Sequence, residues 1–448
     1  MRVRFAWFAA VLATGTGITS VAPMRAALAA SAVPAPDTLR TTKFVVDGVP
    51  VILRRNTATE VVAANLYLLG GSRQLTPATA GIEALVLSLS ERGTRRFPGA
   101  MVRQRTARLG STIGVEANND WSVIGLHAIR STFDSTWAIL ADRVMAPTLD
   151  ENELALLREQ FLTIAREKDT QPDDAATDLA DSLLYLNHPY AVSPTGTPES
   201  IAAITATQLR QYHARQFVTS RMLLVVVGNV DRAQVERLVR NTIATMPRGT
   251  YKWTSPPPVV TTGRAVAIDN RPLPTNYVLG YVPGPEATDP DYAALRVATA
   301  VLSGRLFTEV RSRRNLSYAV ESPFLERAQA IAGLYVTTVD PNQVLRIMRA
   351  ELTTLQTETV DPVGLKRLEQ QFITEYYLKN ETNADQANFL ARAELYQGDY
   401  RIADQFMDRL RRVTPDDVRR VARRYLKAFR FAYVGDASKL DRSLLNQF

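Results

Sequence analysis

The chain has 448 residues, 46% of them apolar and 22% charged, with ordinary Gly and Pro content and no Cys. That composition excludes a disordered or collagen-like chain, and the missing thiols exclude disulfides, thiolate zinc sites, iron–sulfur clusters and cysteine nucleophiles. The three histidines, His127, His188 and His213, lie far apart, which argues against a His-rich metal centre, and the formal charge of +8 raises the question of an anionic partner.

The chain opens with a basic stretch at residues 1–4, an apolar run at 5–13, and a small-x-small cleavage site at Ala27-Leu28-Ala29 or Ala30-Ser31-Ala32. This reads as a secretory signal peptide over residues 1–29, so the mature protein is expected to be periplasmic or secreted. Cleavage after Ala29 removes Arg2, Arg4 and Arg25 and no acid, lowering the charge by three to +5, and the case for nucleic-acid binding falls away. The apolar run breaks at Thr14-Gly15-Thr16-Gly17, short of the roughly 20 residues that span a bilayer. No stable membrane insertion is expected after cleavage.

Strands are expected at residues 43–53 and 61–69, the second ending in Gly70-Gly71, then a helix at 82–91 and strands at 111–117 and 121–129. Leu154, Leu157, Phe161 and Ile164 recur at spacings of three and four, predicting a helix over 151–168 with one core face. Sliding the sequence along itself by 211 residues aligns 150–185 with 361–396 without gaps, with 13 of 36 positions identical, so the chain is a duplication. Residues 247–263 contain Pro256-Pro257-Pro258 and no helical period, which predicts an extended linker between domains at 38–246 and 264–448. Near the end, Thr414-Pro415-Asp416-Asp417 is a strong helix start, followed by Arg419, Arg420, Arg423 and Arg424, expected to be solvated or ion-paired. His127, His188 and His213 read as structural residues on a strand, in a turn and on a helix. No nucleophile elbow, phosphate loop or dinucleotide fingerprint is present.

The ordered series Asn65 to Arg73, Thr79-Ala80-Gly81, Arg92-Gly93-Thr94, His188-Pro189-Tyr190 and Gly196-Thr197, then Gly304-Arg305-Leu306-Phe307, Arg311 and Asn315 to Val320, resembles the pitrilysin or insulinase family of zinc metallopeptidases. The resemblance covers nearly the whole mature chain. It implies an α/β (α+β) fold of two homologous domains, each a mostly antiparallel sheet flanked by helices, together forming half of a clamshell.

Family enzymes carry His-x-x-Glu-His on the helix after the Gly-x motif, where two His four residues apart share one face and the Glu acts on zinc-bound water. At the matching spacing this chain has Ala84, Leu87 and Ser88, and the family's distal Glu ligand falls on Thr163. No zinc site is therefore expected in this chain. Glu83 and Glu91 lack imidazole companions and read as ordinary surface carboxylates.

The resemblance also implies an Arg and a Tyr, here Arg311 and Tyr318, that meet the substrate backbone and the oxyanion at the cleaved carbonyl. Read from residues alone, Arg311 belongs to a basic helix end with Arg313 and Arg314, and Tyr318 is a half-buried strand aromatic; Gly304 is expected to permit a tight turn ahead of a helix. Two functions remain open at this point. One is the non-catalytic subunit of an exported heterodimer, in which a partner subunit with His-x-x-Glu-His supplies zinc and a peptide is the substrate. The other is an inert scaffold or peptide-binding protein of the same fold.

Overall fold

The computed structural model describes residues 39–448; the expected leader at 1–29 lies outside them. Residues 43–53, expected as one strand, fold back on themselves: β1 (Leu39–Val46) and β2 (Val49–Asn56) form a hairpin around Asp47-Gly48. Both turn residues have positive φ, 46° and 94°, the backbone of a two-residue type I′ loop, for which Asp-Gly is a preferred pair. The sheet is completed by β3 (Val61–Leu69), β4 (Thr112–Ala117), β5 (Trp121–Ile129) and β6 (Met222–Gly228), in the order β1-β2-β6-β3-β5-β4. Every neighbouring pair is antiparallel except β2 with β6. The run Met222 to Val227 is apolar without alternation because β6 is covered on both faces.

The second sheet contains β7 (Ala265–Asn270), β8 (Asn276–Glu286), β9 (Ser317–Glu321), β10 (Phe324–Leu325), β11 (Gln329–Thr338) and β12 (Arg430–Gly435). Its order is β10-β11-β8-β12-β7, with β9 also pairing with β11. Again one pair is parallel, β7 with β12. The last strand of each half thus slots between a parallel and an antiparallel neighbour: β6 between β2 and β3, β12 between β7 and β8. The repeat seen at an offset of 211 residues is a repeat of topology.

One face of each sheet is covered by helices of its own half. Ile82–Leu89 and Phe133–Met145 lie over the first sheet, and Asp291–Leu306, Pro341–Thr357 and Pro415–Tyr425 over the second. The other faces are covered by exchange. Asn383–Gln397, from the second half, lays Ala387, Leu390, Ala391 and Leu395 on Ile52, Tyr67, Leu223 and Val225 of the first sheet. Pro172–Leu184, from the first half, lays Ala176, Ala180 and Leu184 on Leu279, Tyr281, Ile331 and Ala432 of the second. These two helices are the C-terminal parts of the duplicated segments.

A buried polar seam accompanies the exchange. Tyr190 and Tyr396, one from each half, both donate to Asp120 Oδ2 at 2.6 Å, and Arg73 lies 3.4 Å from the other oxygen. Desolvation, then the Asp120 charge, raises the Tyr396 hydroxyl well above the ordinary tyrosine value, so it stays a donor. Arg327 donates to Asn119 across the same seam at 2.9 Å, and Asn56 and Asn65 reach Asn383 and Asn388.

Two expectations need correction. Leu154 and Leu157 are buried, but Ile164 is 63% exposed, because the C-terminal third of Glu151–Thr170 projects beyond the surface it packs on. Gly304 makes no turn; it sits inside Asp291–Leu306, where a Cβ would meet open space. Residues 247–262 have no regular secondary structure, but they are held: Val259 is buried and the Trp253 indole N–H donates to the Leu395 carbonyl at 3.1 Å. The Thr414 hydroxyl caps Pro415–Tyr425, and Arg419, Arg420 and Arg424 pair with Asp416, Asp417 and Asp291.

Candidate functional site

Ile82–Leu89 starts from Gly81, whose φ of 83° lets the chain turn into the helix against the Thr195 carbonyl and Gly196. Ala84 and Leu87 point into the core, 6% and 1% exposed; Ser88 is half-buried, and Thr163 is exposed on its own helix. Two hydrocarbons and two hydroxyls do not fit a zinc ion, which takes imidazole, thiolate or carboxylate. His127 stands on an exposed position of β5, while His188 and His213 bond to the carbonyls of Pro257 and Val144. The three are not gathered, and no group of three potential ligands occurs among the described residues.

Glu83 is not a surface carboxylate. It is 2% exposed and holds the equally buried Arg221 at 2.8 Å, while the Tyr212 hydroxyl donates to the same oxygen at 2.7 Å. Arg221 also donates to the carbonyls of Leu69 and Gln216. A charged pair therefore ties the start of this helix to β3 and to the entry of β6, a structural duty next to Ala84, one of the positions the resemblance sets against a metal ligand. Glu91 is the half-exposed group the sequence suggested.

The second set of candidate residues is brought together. Asp291–Leu306 does not stop cleanly but widens into a π-helical turn, Phe307–Ser312, a local irregularity that re-aims side chains and recurs at functional positions. Within it Glu309 engages Arg313 and Arg314, both 2.5 Å away, and the Arg311 guanidinium lies between two aromatic faces, 5.1 Å from the Phe307 ring and 4.8 Å from the Tyr318 ring. Asn315, at φ 52°, makes the reversal into β9, the left-handed conformation asparagine tolerates better than most residues. A register shift in the β9–β11 pairing, between Val336 and Thr338, falls opposite Tyr318.

Tyr318 is 84% exposed. It is not the half-buried strand aromatic that residue type alone suggested, and no packing need explains a phenol placed this way. Arg311 and Tyr318, seven residues apart, are thus brought together, while Ala84, Leu87, Ser88 and Thr163 supply nothing. Phe307 went unnamed as a site residue. Its signal was present in the one-turn spacing to Arg311, which puts an aromatic on the same face of a helix.

Residues 50–197 match the family model described as insulinase (peptidase family M16), and residues 203–372 match that of the M16 peptidase inactive domain. An uncharacterized zinc protease of Mycobacterium leprae is 25% identical over 392 residues, 85% of this chain and 87% of that protein. In fold, the chain is similar to a peptidase M16 inactive domain from Pseudomonas fluorescens, with a TM-score of 0.81 at 21% identity over 89% of this chain and 98% of the other. It is also similar to the periplasmic protease PqqL of Escherichia coli, with a TM-score of 0.74 at 16% identity, where 92% of this chain covers 50% of that one. The chain belongs to the insulinase (M16) peptidase family, as a member without the metal-binding residues on the helix at 82–89.

Proposed function

We propose that the chain is the zinc-lacking subunit of a two-subunit peptidase exported to the periplasm or secreted, and that it contributes Arg311 and Tyr318 to a site completed by a partner of the same family. The partner carries His-x-x-Glu-His and the zinc. From this chain, the planar Arg311 guanidinium donates N–H bonds to carbonyl oxygens of the bound peptide, and the Tyr318 hydroxyl donates to the oxyanion as the carbonyl becomes tetrahedral. Neither group generates a nucleophile, so the subunit binds and stabilises but does not cut alone.

The observation that carries this reading is the Tyr318 phenol, 84% exposed and stacked on Arg311, in a chain whose metal positions are hydrocarbon and hydroxyl. The likeness to one half of PqqL supports pairing with a second family unit. Among the described residues no helix is long and apolar enough to cross a membrane.

The test is purification of the tagged protein from the exported fraction, identification of a stoichiometric companion and its metal, and turnover by the reconstituted pair. Tyr318→Phe should lower kcat by about a hundredfold to a thousandfold with assembly intact, the cost of one oxyanion donor. Recovery of the chain alone, binding peptides without a zinc-bearing companion, would establish the scaffold reading instead.

A further inference from the structure

A cavity of about 410 Å³, lined by neither Arg311 nor Tyr318, opens between the start of Asp291–Leu306, the end of Asn383–Gln397 and the stretch from Ile402 to Val413. Its volume lies in the range of small-ligand sites. The floor is apolar and aromatic: Phe389 and Phe406 meet edge to face at 5.4 Å, with Ala293 and Ala393 beside them. The polar atoms of the floor are already committed, the Tyr396 hydroxyl to Asp120 and the Gln397 amide oxygen to Arg409. Hydrocarbon suits such a floor better than a body that needs hydrogen bonds.

The rim is cationic beyond what its acids neutralise. Five arginines, Arg296, Arg392, Arg409, Arg412 and Arg420, face three acids: Glu326 serves both Arg296 and Arg392, Asp417 is taken by Arg420, and Asp289 accepts from the Asp291 backbone N–H. Arg409 has a neutral amide as its hydrogen-bond partner, 2.9 Å away, and the Arg412 guanidinium, unlike its backbone N–H, which donates to the Leu410 carbonyl, makes no ion pair or hydrogen bond among the described residues. Arg296, its guanidinium 5.0 Å from the Phe406 ring, has a buried Nε without a partner, and desolvation holds its pKa below the ordinary guanidinium value. A positive rim over an aromatic floor is complementary to an anion carried on an apolar body.

We propose that this cavity binds a carboxylate attached to an aromatic or aliphatic body, with the carboxylate held by Arg409 and Arg412 and the body against Phe389 and Phe406. A free aromatic acid and the last residue of a peptide share this chemistry. The site is separate from the Arg311–Tyr318 pair, and its occupancy does not depend on the partner proposed above.

The test is calorimetric titration of the full mature chain with N-acetylphenylalanine and with its amide, then with a short peptide ending in Phe as acid and as amide. The acids should bind at least about tenfold more tightly than the amides, and Arg409→Gln and Arg412→Gln should each weaken acid binding about tenfold without lowering the unliganded Tm. Equal binding of N-acetylphenylalanine and the peptide acid assigns the site to free acids; a clear preference for the peptide acid assigns it to chain ends. Equal affinity for acid and amide, no binding of either acid at millimolar concentration, or full affinity in both arginine variants overturns the proposal.

Discussion

Removing the Glu83 carboxylate should be among the most damaging single changes in the first half of the chain. In Glu83→Ala, the Arg221 guanidinium, its side chain 1% exposed, keeps only the neutral carbonyls of Leu69 and Gln216. The Tyr212 hydroxyl loses its acceptor in the same stroke. Breaking a buried pair from one side costs about 3–5 kcal/mol, and an orphaned buried donor about 1–3 more where it finds no water. We expect a loss of about 4 kcal/mol, a large fraction of a typical folding free energy. Urea unfolding followed by far-UV circular dichroism reads this as a lower midpoint at unchanged slope. Glu83→Leu combined with Arg221→Met should recover most of the loss, since it removes both charges and keeps the volume. A Glu83→Ala loss below about 1 kcal/mol would refute the reasoning, because the pair would then be hydrated rather than buried.

Asp181 is half-buried beside Arg327, and desolvation, partly opposed by that arginine, raises its carboxyl from 3.8 to about 6. The folded value exceeds the unfolded one, so the stability this group contributes is present below pH 3.8 and is lost as pH rises through about 6. Asp181→Asn should therefore be more stable than the parent chain at pH 7 by up to about 3 kcal/mol and equal to it near pH 4, measured as Tm against pH. Leu390→Ala, on the exchanged helix, should cost about 2–5 kcal/mol, and a cost well below that would show the helix to be loosely docked on the first sheet. Added zinc and chelator should leave the Tm of the isolated chain unchanged; a zinc-dependent rise would reveal a metal site not formed by Ala84, Leu87, Ser88 and Thr163.

Where the sequence was readable, the signal was periodic or cumulative. The strands at Val61–Leu69 and Trp121–Ile129, the helix beginning at Glu151 and the capped helix at Thr414 followed from apolar spacing and end signals, and the duplication from identities accumulated over 36 positions. What was not readable depends on distant partners. Glu83 sits on a helix with nothing in its neighbourhood to announce Arg221, 138 residues away. Asp47-Gly48 was a turn signal overridden by the β character on both sides of it. Ile164 continues an apolar spacing past the point where the surface it faces ends. At the candidate site, the pairing of Arg311 with Tyr318 could be expected from the family pattern, whereas the exposure that gives Tyr318 its meaning is a property of the fold.

The exchange of helices between the halves bears on how such a protein can move. Each sheet borrows part of its cover from the opposite half, and the Tyr396 hydroxyl, donating to the Asp120 carboxylate, closes the crossing. Swinging the halves apart would strip both sheets at once, so opening between them would be costly. Cut at its proline-rich crossing into two fragments, neither piece would be a finished domain, and the two should regain structure only when mixed. If the chain works in the two-subunit peptidase proposed above, the gate would be the seam between subunits, and the turnover rate would be set by how readily that seam parts.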